Sequence, residues 1–179
     1  AIARRAVVIV RDAEDRENEG DFICAAETIT PEIVNFMITH GRGQLCLPML
    51  PEVADRLKLE AVTDVNNAPL RTSFLTPIDH RDAKTGITAQ ERALTIRTAV
   101  DPHSSADDFV RPGHVFPILA KEGGVLRRAG HTEATVDLAR MAGLSPVGGL
   151  CEILNETGDR ATRDELIEIA SRHNLEIIS

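Results

Sequence analysis

Acidic side chains dominate residues 12–21, where six of the ten residues carry a carboxylate. The run directly follows an apolar segment, residues 6–10, that has the composition of a buried strand. Carboxylates this close together repel one another, and the repulsion disfavours their ionisation. A divalent cation such as Mg²⁺, which takes oxygen ligands, relieves that repulsion. The run therefore predicts a metal site at the end of a strand, with a solvated acidic loop as the simpler alternative.

A second group of chemically useful residues lies at 123–133. Two arginines, a glycine, a histidine and a threonine lead there into a helix that we expect to begin near Thr132. The start of a helix offers free N–H groups and the positive end of the helix dipole, which together suit a phosphate. Arg128 can add a bidentate contact. An ordinary polar loop capped by Thr132 is the alternative.

His131 is a candidate metal ligand through a neutral imidazole nitrogen. If the fold brings His131 to Glu17, one nitrogen and one carboxylate oxygen, with water and substrate oxygens, form a shell for Mg²⁺ or Mn²⁺. A surface histidine near a helix start is the alternative. Structural zinc is disfavoured because the three cysteines and six histidines do not show zinc-ligand spacing.

Four further side chains could take part in acid–base or phosphate chemistry. Glu152 lies within an apolar stretch, residues 149–154, where it is equally well explained as a general base or as a structural carboxylate. His114 follows a turn and opens a strand, either as a second acid–base group or as a strand-edge residue. Thr85 and Thr88 lie in a turn and could bind phosphate, although capping the next helix is the simpler role for Thr88.

Composition excludes several classes of function. The net charge of −8 and the absence of Trp and Tyr argue against a nucleic acid partner. No apolar run approaches the roughly 20 residues that span a bilayer, so we expect no membrane partner. Three widely spaced cysteines without a C-x-x-C pair indicate reduced thiols in a cytoplasmic protein. The chain begins without Met, and we expect a short N-terminal segment to be missing.

Predicted strands and helices alternate along the chain without a repeat or a linker, which indicates a single α/β domain over residues 1–179. The predicted strands are 7–10, 22–26, 44–47, 73–78, 115–120, 147–154 and 175–178. The predicted helices are 31–40, 52–57, 89–98, 132–142 and 163–173, with Gly41 and Gly143 as helix stops. Residues 101–113 are predicted to be mainly loop.

Four short motifs occur in order along the chain: residues 15–21 (Asp-Arg-Glu-Asn-Glu-Gly-Asp), 111–115 (Arg-Pro-Gly-His-Val), 128–134 (Arg-Ala-Gly-His-Thr-Glu-Ala) and 150–152 (Leu-Cys-Glu). Together they closely resemble the 3,4-dihydroxy-2-butanone 4-phosphate synthase family of riboflavin biosynthesis. The similarity covers nearly the whole chain. It implies a single-domain α/β fold of the α+β type, in which helices flank a mixed sheet.

The resemblance also implies an activity and its partners. The activity is that of a lyase, converting D-ribulose 5-phosphate into L-3,4-dihydroxy-2-butanone 4-phosphate and formate. Magnesium, or manganese in its place, is required, with two ions expected in each active site. A homodimer is implied, with active sites near the subunit interface.

Roles for individual residues follow from the resemblance. It implies Glu17 and His131 as metal ligands, and His114 and Glu152 as the proton-transfer pair, with Asp21 as the competitor of Glu152 for the role of base. His114 is expected to reach the site from the neighbouring subunit. The implied substrate contacts are Arg16, Glu17, Asp21, Cys46, Thr85, Arg128, Ala129, Gly130, His131, Thr132 and Glu152, and Glu19 is expected to line the same pocket.

The chain departs from the family pattern in residues 72–88. Leu75 and Pro77 replace residues of a threonine-rich strand, and Thr85 is the one threonine kept before the glycine of the following turn. Contacts expected from this segment therefore rest on a weaker match. The C-terminal extension is short, and a fused GTP cyclohydrolase II domain, common in bacteria, is a further expectation.

Two other functions fit the acidic run and the candidate phosphate-binding segment at residues 123–133. The first is a metal-dependent sugar-phosphate isomerase or phosphohydrolase, which would yield a new pentose phosphate or free phosphate instead of formate. The second is a non-catalytic module that binds a divalent ion or a phosphorylated ligand, for which turnover and dependence on Glu152 would both be absent.

Overall fold

A mixed sheet of eight strands organises the computed structural model, which describes Ile2 and residues 7–179. The strands lie in the order β4-β6-β3-β7-β2-β1-β8, and β5 pairs with β6 outside this path. Strand β3 runs parallel to β6, β1 runs parallel to β8, and the other pairs are antiparallel. The strands are β1 (Val8–Arg11), β2 (Gly20–Ala25), β3 (Cys46–Met49), β4 (Ser73–Phe74), β5 (Ile78–His80), β6 (Phe109–Leu119), β7 (Gly148–Glu152) and β8 (Ile177–Ile178).

Five α-helices within the described residues pack on this sheet, and local capping sets where most of them begin. They are α1 (Pro31–Gly41), α2 (Pro51–Arg56), α3 (Ala89–Val100), α4 (His131–Met141) and α5 (Arg163–His173). The hydroxyl of Thr30 accepts a hydrogen bond from the Ile33 amide at the start of α1. Capping boxes at Thr88 and Thr162 open α3 and α5, as their sequences predict.

The two faces of the sheet have separate apolar cores, because successive strand side chains point to opposite sides. Phe22, Leu47 and Cys151 belong to the larger core, which also contains buried residues of α1, α3 and α5. Ile23 and Leu150 belong to the other core, which is covered by α4. The chain therefore forms a mixed sheet with helices on both faces, as the resemblance implied.

Three predicted boundaries are wrong. The loop predicted at 101–113 ends too late, because β6 already begins at Phe109 and pairs with β5. The predicted strand at 73–78 is divided into β4 and β5, with the break at a segment that contains Pro77. Helix α1 includes Gly41, and it ends instead on Arg42, which adopts a left-handed conformation with φ of 64°.

Each helix of the described chain is too short or too polar to cross a lipid bilayer.

Candidate active site

Asp21 and Glu152 face each other across two neighbouring strands. They are direct partners in the antiparallel pairing of β2 with β7. By strand alternation they share a face with Ile23 and Leu150, which is the face covered by α4. Asp21 is buried, whereas Glu152 is half-buried at the end of its strand. The sheet thus presents two carboxylates side by side beneath the start of α4.

The acidic turn between β1 and β2 is wound around the carboxylate of Asp12. One oxygen of Asp12 accepts hydrogen bonds from the Glu17 amide at 3.0 Å and from the Arg16 guanidinium at 2.8 Å. The other accepts the Glu19 amide at 3.0 Å. Arg160, which follows β7, donates to the main-chain carbonyl of Glu17. These contacts fix a turn that would otherwise be spread by the repulsion between its charges.

His131 is the first residue of α4 and points into the acidic cluster. Its side chain is 5% exposed. The Nδ1 atom lies 3.6 Å from Oε2 of Glu17 and 3.7 Å from Oδ2 of Asp21. The structure therefore brings together Glu17 and His131, which are far apart in sequence.

The residues around His131 fit a divalent cation. Ligand atoms of Asp12, Glu17 and His131 lie within 4.8 Å of one another, and so do those of Glu19, Asp21 and His131. Oδ1 of Asp21 and Nε2 of His131 are buried without a hydrogen-bond partner among the described residues. Buried polar atoms are normally satisfied, so these two indicate a ligand-binding site. Carboxylate oxygens and one imidazole nitrogen suit Mg²⁺ or Mn²⁺.

The protonation of the cluster reflects burial and crowding. Burial raises the pKa of Asp21 well above its usual range, and neighbouring carboxylates add to the effect. Burial also raises the pKa of Glu19. Burial alone would lower the pKa of His131, but Glu17 and the other carboxylates nearby raise it to about 9. A bound cation would replace that proton as the positive charge that compensates these carboxylates.

A cradle of positive charge lies beside the acidic cluster, at the start of α4. Arg128 donates to Oε2 of Glu133 at 2.7 Å and to the hydroxyl of Thr72 at 3.3 Å. A methyl group added at Gly130 would lie 2.2 Å from Nη1 of Arg128 and 3.0 Å from Nη2 of Arg16. Two guanidinium groups therefore converge on the backbone just before the helix, where free N–H groups favour an anion.

Glu152 is held beside the acidic cluster by the backbone of the α1–β3 connection. Its Oε2 accepts a hydrogen bond from the Gln44 amide at 2.8 Å. A side chain at Gly43 would lie only 2.6 Å from the same oxygen, so glycine leaves the space that the carboxylate occupies. Among the described residues, no other donor contacts this carboxylate, which leaves Oε1 available to a ligand.

Most of the predicted site residues share one cavity. Its lining includes seven predicted contacts together with Glu19: Arg16, Glu17, Asp21, Arg128, His131, Thr132 and Glu152. Ala129 and Gly130 line a neighbouring cavity that shares Arg16 and His131 with the first. Cys46 is completely buried on the same face of the sheet, and it does not line the cavity within the described chain.

Two predicted site residues lie elsewhere in the chain. His114 pairs with Asp79, through Nδ1 and Oδ2 at 2.7 Å, and its side chain is 43% exposed. The hydroxyl of Thr85 donates to Glu91 at 3.1 Å near the start of α3. Neither residue lines the cavity around His131 in the described part of this chain.

Sequence reasoning missed three residues that organise the site. Asp12 was counted in the acidic run, but its role as the centre of the turn depends on amides several residues away. Glu133 appears in a motif, yet its contact with Arg128 required the helix to be placed. Thr72 lies far from Arg128 in sequence, and no local pattern connects them. Of these three residues, only Asp12 could have been singled out from the sequence, because it belongs to the acidic run at residues 12–21.

The fold and the site together define a class: an α/β protein whose buried acidic cluster could hold a divalent cation beside two converging arginines. Comparison with protein families identifies the family. The model of the 3,4-dihydroxy-2-butanone 4-phosphate synthase family matches residues 1–179. The chain belongs to this family, as the four motifs predicted, and members of the family act in riboflavin biosynthesis.

Curated relatives agree with this assignment. The chain is 54% identical over 179 residues to the riboflavin biosynthesis protein RibBA of Bacillus subtilis, with all of this chain and 45% of the relative covered. It is 55% identical over 173 residues to RibBA of Bacillus mycoides, with coverages of 97% and 44%. The chain therefore spans less than half the length of these relatives.

Solved structures share the fold. RibBX from A. baumannii, a two-domain 3,4-dihydroxy-2-butanone 4-phosphate synthase, superposes with a TM-score of 0.95 at 48% identity, over 98% of this chain and 52% of that one. A 3,4-dihydroxy-2-butanone 4-phosphate synthase in complex with two magnesium ions gives a TM-score of 0.91 at 39% identity, over 98% and 88%.

Proposed function

We propose that this chain converts D-ribulose 5-phosphate into L-3,4-dihydroxy-2-butanone 4-phosphate and formate, which supplies the four-carbon unit of riboflavin. The observation that carries the proposal is the shared cavity of Glu17, Asp21, His131 and Glu152 beside an arginine-flanked helix start. Family membership over the whole chain supports the same reaction.

Glu17 and His131 would hold the metal, and two ions per site are proposed because His131 belongs to two groups of potential ligands. Magnesium is the proposed ion, with manganese as a substitute that takes the same ligands. When bound, the metal would supply positive charge that stabilises negative charge developing on the substrate. A solved relative in complex with two magnesium ions supports this stoichiometry.

Phosphate binding would fall to Arg16, Arg128 and Thr132 at the start of α4. The two guanidinium groups meet over Gly130. The amides of the first helical turn supply further donors to an anion. Holding the phosphate there directs the remaining carbons of the sugar toward the carboxylates on the sheet.

Proton transfers would involve Glu152 and His114. We assign to Glu152 the removal of the proton beside the ketone, because it lies at the cavity with one oxygen fixed by the Gln44 amide. Asp21 is the alternative base. The later steps, which are loss of the C1 hydroxyl, skeletal rearrangement and release of C4 as formate, need further proton transfers, in which His114 takes part.

A homodimer is proposed in which His114 of one subunit completes the site of the other. The position of His114 outside the cavity of its own chain supports this arrangement. Mixing two inactive variants, Glu152→Gln and His114→Asn, tests it. Heterodimers then contain one intact site, and about one quarter of the parental activity returns after subunit exchange. No recovery despite demonstrated exchange would contradict a shared site.

We also propose that the chain acts in the cytoplasm and that, in a longer protein, it is joined to a GTP cyclohydrolase II domain. The relatives of which it covers 44–45% support the second proposal. Sequencing the complete reading frame tests it directly.

Isotope labelling tests the proposed reaction. D-Ribulose 5-phosphate labelled with ¹³C at C4 is incubated with the chain and Mg²⁺, and the products are followed by ¹³C NMR. We expect the label to appear in formate. EDTA should abolish the signal, and added Mg²⁺ or Mn²⁺ should restore it.

Other outcomes would identify the alternatives. Label in a new pentose phosphate would indicate an isomerase, and release of inorganic phosphate would indicate a phosphohydrolase. Binding of the sugar phosphate without any product would indicate a non-catalytic module. Each of these results contradicts the proposed lyase.

A further inference from the structure

Asp79 on β5 is a buried carboxylate that contacts one histidine, His114. The whole Asp79 residue is 5% exposed. Its Oδ2 atom lies 2.7 Å from Nδ1 of His114, and its Oδ1 accepts a hydrogen bond from the His114 amide at 2.9 Å. Both oxygens therefore contact the same residue, one through the ring and one through the main chain. Such a two-point contact fixes the ring relative to its own backbone.

The β5–β6 pairing is irregular at the position where Asp79 contacts His114. Ile78 pairs with Val115, but the next residue, Asp79, pairs with Val110. The residues of β6 between these two partners leave the ladder, and the His114 amide is among those freed. The carboxylate of Asp79 accepts that freed donor. The irregularity thus has a clear consequence, which is to bring His114 onto Asp79.

Two glycines leave room for the pair. A side chain at Gly86 would lie 1.9 Å from Oδ2 of Asp79, and Gly86 has a positive φ of 82° that favours glycine. A side chain at Gly113 would lie 2.0 Å from the main chain of Ile78. Elements from β5, β6 and the turn before α3 therefore converge on one carboxylate.

The ring of His114 is oriented outward by this contact. When Asp79 accepts the proton on Nδ1, the neutral imidazole must carry its lone pair on Nε2. The His114 side chain is 43% exposed, whereas the Asp79 side chain is 8% exposed. The arrangement therefore offers Nε2 for proton transfer while the carboxylate remains covered.

We propose that Asp79 is a positioning residue that sets the tautomer and orientation of His114. This inference rests on the proposed function, in which His114 takes part in proton transfer. Asp79 itself touches neither substrate nor metal in this scheme. A carboxylate in the same relation to a histidine of a serine protease maintains the reactive tautomer, and its replacement by Asn costs on the order of 10⁴-fold in kcat.

The substitution Asp79→Asn separates positioning from a purely structural role. The Asn oxygen can still accept the His114 amide, and the side-chain volume is nearly unchanged. Its NH₂ group, however, faces Nδ1 and can only donate, so the proton of the neutral ring moves to Nε2. We expect kcat for formate release to fall at least about 100-fold, with KM for ribulose 5-phosphate nearly unchanged.

Histidine side-chain ¹⁵N NMR reads the tautomer without any turnover. The His114 signals are assigned by their loss in His114→Asn, and the remaining histidine signals report whether each variant is folded. Asp79→Glu, which keeps the carboxylate, should restore part of the activity and the Nδ1–H tautomer. Asp82→Asn is the matched control, because Asp82 is an exposed carboxylate after β5 and its loss changes the charge equally.

The outcomes separate the two proposals. A tautomer change together with a lower kcat in Asp79→Asn supports the inference. An unchanged tautomer, or a changed tautomer with parental kcat, overturns it. If the parent protein forms no formate, the proposed function fails, while the NMR comparison still decides whether Asp79 sets the tautomer of His114.

Discussion

The acidic cluster around His131 and the Asp79–His114 pair both contain a buried carboxylate next to a histidine, but they are satisfied in different ways. In the cluster, Oδ1 of Asp21 and Nε2 of His131 are buried without partners among the described residues. In the pair, both oxygens of Asp79 accept hydrogen bonds from His114. The difference indicates a cluster that can take a ligand and a carboxylate, Asp79, whose hydrogen bonds are complete within the protein.

This contrast has a functional meaning. A site with unsatisfied buried groups is stabilised when a cation binds to it. The stability of this region should therefore depend on metal. A carboxylate that is already satisfied instead restricts the motion and protonation of its partner. The same two residue types thus serve binding in one region and orientation in the other.

The largest effect is expected from Glu152→Gln. The substitution keeps the side-chain volume and removes the base, so turnover should fall by about 10²- to 10⁴-fold while ribulose 5-phosphate still binds. Formate release gives the rate, and equilibrium dialysis with labelled substrate gives the binding. Glu156→Gln, an exposed change beyond the same strand, should behave like the parent. Near-parental turnover in Glu152→Gln would remove Glu152 from the chemistry.

The next effect should be seen in His131→Ala. His131 belongs to both groups of potential metal ligands, so its loss should weaken Mn²⁺ binding by at least about 100-fold. Electron paramagnetic resonance of free Mn²⁺ gives the affinity. His103→Ala removes an exposed histidine and serves as the control. If His131→Ala binds Mn²⁺ as tightly as the parent, the cluster is not the metal site.

A smaller effect is expected from Glu133→Gln. Glu133 is 1% exposed, and it receives Arg128 on one oxygen and the Lys121 amide on the other. Replacing its charge weakens a hydrogen bond of the kind worth about 1.5–3 kcal/mol, so KM for ribulose 5-phosphate should rise roughly 10-fold with little change in kcat. Steady-state kinetics measure the split, and Glu122→Gln, on an exposed neighbour, is the control. A fall in kcat alone would contradict a role in phosphate binding.

The smallest effect concerns the three cysteines. Burial raises the pKa of Cys24 and Cys151 to about 12, and that of Cys46 well above its usual range. All three should therefore remain protonated thiols at pH 8 and react with an aromatic disulfide reagent only after denaturation. Absorbance of the released thiolate follows the reaction. Rapid modification of Cys46 in the folded protein would instead show that the active-site cavity opens down to the sheet.

The sequence predicted much more of the cluster than of the pair. Residues of the cluster belong to two segments, 12–21 and 128–134, each of which is continuous in sequence. Each segment lies where an element begins or ends, and that boundary has a local cause. The start of α4 and the end of β1 could therefore be placed from composition alone, and the sheet brought them together. Capping boxes at Thr88 and Thr162 were equally visible because their partners are three residues away.

The pair could not be predicted from sequence because its geometry depends on an irregular pairing. Residues 101–113 contain Gly, Pro and several polar residues, which favours a loop, yet β6 begins at Phe109 through contacts with β5. Asp79 follows Ile78 in a short strand without any motif. Its relation to His114 arises from the shift in register, which leaves no periodic pattern in the sequence.

The position of a bound cation tests the central claim most directly. A crystal of the chain grown with Mn²⁺ and examined by anomalous scattering at the manganese edge would locate the ion. We predict a peak within bonding distance of a Glu17 oxygen and of a His131 nitrogen, beside the Arg128 cradle. Manganese bound only elsewhere, with Glu17 and His131 free of metal at saturating Mn²⁺, would contradict the account.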